Sequence, residues 1–194
     1  MNKLYLSSYR VPNPKKLYAL IGKEPNETSG AIITNAKDRK SPANREQKIS
    51  KLETFLSNIG LNNTVRVDLR NDEFQPSDYD FIYAIGGNTF DLRRAMVESG
   101  FDETLKQYLE QGGTYVGESA GAIVVGPSLR GFDIMDDAPS NPIWDGAGII
   151  DSIIVPHNDS IEEIYRNRAP EIQELNPNFI VIPLNDDEDY IVDK

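Results

Sequence analysis

Cysteine is absent from the 194 residues, and histidine occurs once, at His157. Without cysteine the chain has no disulfide, no thiolate metal site and no cysteine nucleophile. Long apolar runs are also missing, so no transmembrane helix is expected. The opening residues, MNKLYLSSYRVP, lack the apolar centre of a secretory signal, and a cytoplasmic location is the expectation. Positive charge is in short supply: 20 Lys and Arg stand against 31 Asp and Glu, a formal net charge of −11. That balance argues against a nucleic-acid partner, because phosphate binding needs clustered cations. The longest acidic stretch, Asp186-Asp187-Glu188-Asp189, lacks the alternating ligand spacing of an EF-hand loop and reads as a solvated loop.

What is present is ordinary for a globular protein, with 39% hydrophobic and 26% charged residues. The length suits one domain over residues 1–194 with a sizeable core. Apolar strand patterns occur at Leu4–Leu6, Ala31–Thr34, Val65–Leu69, Phe81–Ile85, Thr114–Val116, Ile149–Val155 and Phe179–Pro183. Helical patterns fall between them, over residues 13–24 and 44–59, in two helices that stop at Ser99-Gly100 and Gly112-Gly113, and from Ala120 to Val125. A further helix is expected over residues 160–169, with Ser160 and Glu163 as a capping box and Pro170 as its stop. Alternating strands and helices indicate an α/β sandwich with a mostly parallel central sheet. Pro127–Gly148 is the longest stretch without periodicity, a length usual for functional or disordered loops.

One Gly-x-Ser-x-Gly pentapeptide, Gly117-Glu118-Ser119-Ala120-Gly121, lies between the strand Thr114–Val116 and a helix start. Strand, tight turn and helix are the context of a nucleophile elbow. A serine hydroxyl needs a base to take its proton. If that base is an imidazole, His157 is the only candidate. His157 follows the apolar run Ile153–Pro156, at the strand end where open α/β sheets bind ligands. Asp133, Asp136 and Asp137 lie between Ser119 and His157 and are available to orient the imidazole. The backbone N–H of Ala120 offers one oxyanion donor, and the Gly86-Gly87 turn offers a second. The alternative for Gly86-Gly87-Asn88 is a helix N-terminal turn capped by Asn88 or Thr89. Ser119 and His157 are too close in sequence for the extra elements of a typical α/β-hydrolase. Their spacing suits a smaller flavodoxin-like or amidotransferase-like sheet.

At these motifs the chain resembles the aspartyl dipeptidase (peptidase E) family, whose relatives include cyanophycinase. The matching pieces are Ile85-Gly86-Gly87-Asn88-Thr89-Phe90, Tyr115 through Ala122, and Val155-Pro156-His157, with Leu6-Ser7-Ser8 and Ala31 through Ala36. The resemblance implies a three-layer α/β sandwich related to class I glutamine amidotransferases. It implies a serine peptidase acting on short peptides, with Ser119 as nucleophile, His157 as base and Asp137, with Asp136 beside it, as the acid. The oxyanion donors then map to Ala120 and the Gly86-Gly87 loop, and Asn88 becomes a substrate-binding candidate. No metal or organic cofactor is implied, and the partner is a small peptide, with neither membrane nor nucleic acid involved. Two features depart from the family. Position 118 is Glu where an uncharged residue is frequent, and the substrate-holding arginine has only unaligned counterparts, Arg166 and Arg168. Two other classes fit the same residues, a non-catalytic binding protein and an amidase or esterase.

Overall fold

The computed structural model describes residues 2–193. Its centre is a six-stranded sheet built from β1 (Lys3–Ser7), β2 (Ser29–Ile33), β3 (Asn63–Val67), β4 (Phe81–Ala84), β5 (Thr114–Glu118) and a C-terminal strand, Asp189–Asp193. With β6 (Ser152–Val155) and β7 (Ile180–Pro183) placed in a separate two-stranded parallel sheet, that last strand is β8. The order across the main sheet is β3-β2-β4-β5-β1-β8. β1 to β5 run parallel, and β8 closes the edge antiparallel to β1.

The inner strands are apolar because both of their faces are covered. Every residue of β4 and β5 is buried, as are Leu4, Tyr5, Leu6, Ala31, Ile32 and Ile33. The covering helices are α1 (Pro14–Ile21), α2 (Pro42–Asn58), α3 (Thr89–Ser99), α4 (Phe101–Glu110), α5 (Ala120–Ile123) and α6 (Ala169–Leu175). The spacing of Ile49, Leu52 and Leu56 puts all three of these α2 side chains into the core. Gly100, at φ 71°, ends α3 and starts α4 without a linker, a left-handed turn that a Cβ would strain. No helix among the described residues is long and apolar enough to cross a membrane.

Two expected elements differ. Residues 160–168 form a succession of turns and no helix. The Ser160 hydroxyl accepts from the Glu162 N–H, a tight local turn that replaces the capping box. Pro170 lies in the first turn of α6, where its missing N–H costs nothing, so it opens a helix and does not end one. The second difference is β8, which begins at Asp189, the last residue of the run expected to be a solvated loop.

β8 is held by side chains of its neighbours. The Asp189 carboxylate accepts from the Tyr5 hydroxyl (3.0 Å), Asn13 Nδ2 (2.6 Å) and Lys16 Nζ (2.6 Å). Burial raises its pKa, but those three donors outweigh burial and hold the carboxyl below its ordinary range. A depressed carboxylate stabilises the fold above its unfolded pKa, and that contribution fades as pH falls through the lowered folded value. Asp189→Asn is therefore expected to be less stable than the wild type at pH 7, with the gap narrowing toward pH 3. Urea denaturation at the two pH values measures both differences.

Candidate active site

β5 delivers the chain into Ser119 at φ 50° and ψ −109°, outside the comfortable range of an L-residue. Such a conformation costs on the order of 1–3 kcal/mol and persists only where its surroundings enforce it. Here the Ser119 N–H donates to the Ser7 carbonyl on β1 (2.9 Å), and the Ser119 carbonyl accepts from Ala122 and Ile123 to start α5. The flanking glycines follow from the same crowding. A Cβ on Gly117 would lie 2.5 Å from the Gly121 carbonyl oxygen, and one on Gly121 would lie 2.2 Å from that of Ala84. The pentapeptide is thus a steric requirement of packing a helix this close over β4 and β5.

His157 follows β6, itself at positive φ (62°). Its Nε2 lies 3.0 Å from Ser119 Oγ, and its Nδ1 lies 2.6 Å from Asp186 Oδ1. An ionised carboxylate only accepts hydrogen bonds, so the proton belongs on Nδ1 and Nε2 faces the serine as an acceptor. The imidazole is mostly enclosed, and Tyr165 meets its ring edge-on at a centroid distance of 5.6 Å.

The carboxylate on the imidazole is therefore Asp186, where sequence reading expects Asp137 or Asp136. Asp136 turns the other way: its Oδ2 accepts from the Thr89 N–H (2.9 Å) and hydroxyl (2.6 Å), capping α3 from outside, and burial raises its pKa. Asp137 contributes its backbone carbonyl, which accepts from Asn88 Nδ2 and from Arg39, and its carboxylate is exposed. Asp133 is likewise exposed, on the short 3₁₀ turn Phe132–Ile134. The run Asp186–Asp189, read from sequence as a solvated loop, instead supplies the imidazole's partner and the anchor of β8.

The turn after β4 carries two glycines in close quarters. Gly86 passes so close that a Cβ on it would lie 3.1 Å from Ser119 Cβ. Gly87 is pressed against the 3₁₀ turn Asn35–Lys37, where a Cβ would lie 2.1 Å from the Ala36 carbonyl oxygen. Among the described residues, the N–H groups of Gly86, Gly87 and Ala120 have no protein acceptor. Asn88 is the cap of α3: its Oδ1 accepts from the Asp91 N–H at 3.0 Å. Both ends of its amide are thus engaged within the protein. Of the two sequence readings of this segment, the structure shows the asparagine cap, with Gly86 packed beside Ser119.

A family model for peptidase family S51 matches residues 36–193. The chain belongs to that family. Curated relatives include uncharacterized peptidases of Pasteurella multocida (33% identical over 81 residues, 40% of this chain and 39% of that one) and Listeria innocua (34% over 85 residues, 42% and 41%). The chain spans less than half the length of these relatives. Among solved structures, a candidate peptidase E protein from Listeria monocytogenes EGD-e superposes with a TM-score of 0.80 at 22% identity, covering 99% of this chain and 94% of that one. A peptidase from an acI-B1 actinobacterium superposes at 0.72 with 21% identity, covering 95% and 80%. Both share the α/β fold with its mostly parallel sheet, the class I glutamine amidotransferase-like architecture that the motifs imply. Family S51 is a family of serine-type peptidases.

The two departures from the family pattern find their places in the structure. Glu118 is buried, where it accepts a hydrogen bond from the Tyr83 hydroxyl (3.0 Å) and lies 3.7 Å from the Arg10 guanidinium. In register, Tyr83 and Glu118 lie on one face of the sheet, two residues apart along β5 from the Val116 partner of Tyr83. Burial, with the Glu118 charge beside it, pushes the Tyr83 phenol well above its ordinary pKa, so Tyr83 stays a donor. Arg10 also lies over the rings of Tyr9 and Phe55. Glu118 is thus a paired acid beneath the elbow. Arg166 and Arg168 do not share a helix facing the site. Arg166 pairs at 3.9 Å with Glu163, while Arg168 bonds Glu171 and the carbonyls of Glu163 and Ile164. A cavity of about 640 Å³ opens beside Asp186, walled by Tyr9, Arg10, Lys51 and Phe55.

Proposed function

We propose that this chain is a serine peptidase of short peptides, with Ser119 as nucleophile, His157 as general base and Asp186 as the acid that orients it. The observation that carries this reading is the unbroken chain of contacts from Ser119 Oγ through both imidazole nitrogens to Asp186. Ser119 Oγ attacks the scissile carbonyl carbon while its proton passes to His157 Nε2. The resulting imidazolium is stabilised by Asp186. The tetrahedral oxyanion accepts from Ala120 N–H and from the Gly86-Gly87 backbone. Collapse breaks the C–N bond as Nε2 returns its proton to the leaving amine. A water, deprotonated by the same imidazole, then attacks the acyl carbon; the ester bond to Ser119 Oγ breaks, Nε2 returns the proton to that oxygen, and the acid product leaves.

The family membership supports a peptide substrate, and the resemblance to aspartyl dipeptidases supports a dipeptide with an N-terminal aspartate as the first to test. Neither Arg166 nor Arg168 supports that preference, since each is engaged with acids or carbonyls nearby. A dipeptide library varying the N-terminal residue, read out by released amino acids, tests the class. Hydrolysis of Asp-x over matched Asn-x dipeptides supports the aspartyl reading, and hydrolysis without that preference leaves a broader dipeptidase. No hydrolysis of any dipeptide or ester by folded protein supports a binding role for the scaffold.

A further inference from the structure

Ser8 is fully buried at the end of β1, one residue beyond the Ser7 carbonyl that holds the elbow. Its hydroxyl reaches both of the other groups of the proposed relay. Ser8 Oγ donates to Asp186 Oδ1 at 2.9 Å and accepts from the His157 backbone N–H at 2.7 Å, and it lies 3.3 Å from His157 Nδ1. We propose that Ser8 is a positioning residue that fixes the tautomer and plane of His157 by holding His157 and Asp186 to the sheet at once. This rests on the reading of Ser119, His157 and Asp186 as a catalytic relay.

Serine carries one proton and two lone pairs. The acceptor-only carboxylate claims the Ser8 proton, and one lone pair takes the His157 N–H. The hydroxyl therefore has no proton left for Nδ1, which must carry its own and donate to Asp186. A Ser8 hydroxyl turned toward Nδ1 would instead require the opposite tautomer, with Nε2 protonated and unable to act as a base. The shared bond to Oδ1 excludes that arrangement.

The other groups need such an anchor. His157 sits in a turn at positive φ, a conformation that the bond from its N–H to Ser8 helps to hold. Asp186 is half-exposed, on the short loop between β7 and β8, where an unrestrained carboxylate would turn into water. Besides the Ser8 hydroxyl, that loop is held by the Asp186 N–H to Asp159, by Asn158 to the Leu184 carbonyl and the Asn185 side chain, by the Leu184 N–H to the Val155 carbonyl, and by the Ser8 N–H to the Glu188 carbonyl at 3.5 Å. Among the described residues, the Ser8 side chain is the one that hydrogen-bonds both the imidazole's residue and its acid, and it does so from a buried strand end.

The single histidine makes the test direct, because every imidazole signal in the NMR spectrum belongs to His157. Protein labelled with ¹⁵N-histidine is compared as wild type, Ser8→Ala and Ser8→Thr, with thermal melts confirming the fold. The wild type is expected to show one tautomer, with a protonated Nδ1, and a strongly deshielded Nδ1 proton. Ser8→Ala is expected to mix the tautomers and broaden or lose that proton, while Ser8→Thr, which keeps the hydroxyl, retains the pattern. In parallel, kcat on the best dipeptide is expected to fall on the order of ten- to a hundred-fold in Ser8→Ala with KM nearly unchanged, and to recover in Ser8→Thr. Should Ser8→Ala not fold, Ser8→Cys keeps the volume with a weaker donor and is expected to show the same loss in milder form. A Ser8→Ala or Ser8→Cys protein with the wild-type tautomer and deshielded proton overturns the proposal. The spectrum reads the positioning even if no dipeptide is cleaved, so failure of the peptidase reading and failure of this one remain separate results.

Discussion

Ser119→Ala is expected to lower kcat/KM on the best dipeptide on the order of 10⁴- to 10⁶-fold, leaving at most the residual catalysis of binding and the oxyanion donors. Alanine cannot supply a nucleophile, and among the described residues no other hydroxyl approaches His157 Nε2. Stability provides a second readout. The cost of φ 50° falls on any residue with a Cβ, so Ser119→Ala keeps it. Ser119→Gly is released from it and is expected to be more stable than Ser119→Ala by about 1 kcal/mol, while equally inactive. Thermal or urea unfolding of the two variants beside their kinetics measures this. A glycine variant no more stable than the alanine one would contradict the view that the elbow stores backbone strain for function.

The second large effect separates the acids. Asp186→Ala is expected to lose on the order of 10³- to 10⁴-fold in kcat, as removal of a tautomer-fixing carboxylate does. Asp186→Asn is expected to be nearly as poor, since its amide can donate to Nδ1 and favour the wrong tautomer. Asp137→Ala is expected to keep most activity, because the residue reaches Asn88 and Arg39 through its backbone carbonyl, which the substitution preserves. Asp133→Ala is expected to do the same, its side chain being exposed. Steady-state kinetics on folded variants rank them. Loss at Asp137 equal to loss at Asp186 would return the acid to the loop after the elbow.

The inner strands of the sheet were legible because they are buried on both faces and must be continuously apolar. The elbow was legible because close passage of α5 over β4 and β5 leaves room only for glycine at 117 and 121. His157 was legible by elimination, being the single imidazole of the chain. Asp186 was not. Its partner lies 29 residues away, across α6 and β7, and its acidic neighbours give it the look of solvated surface. The one local signal was the apolar triplet Tyr190-Ile191-Val192 after the acids, which pairs with β1 and so draws Asp186 toward the end of that strand. Ser8 was hidden for a similar reason, since a serine ending a strand looks like any turn until β6 and β8 converge on it. The segment 160–168 misled because Ser160 and Glu163 match a capping box by spacing, while the Ser160 hydroxyl bonds one residue earlier.

The most direct measurement of the central claim is covalent trapping of the nucleophile with a fluorophosphonate, followed by peptide mapping. A single adduct on Ser119 is expected in the wild type, none in Ser119→Ala, strongly slowed labelling in Asp186→Ala and near-normal labelling in Asp137→Ala. Folded wild-type protein that takes up no label, or takes it up on a residue other than Ser119, would contradict it.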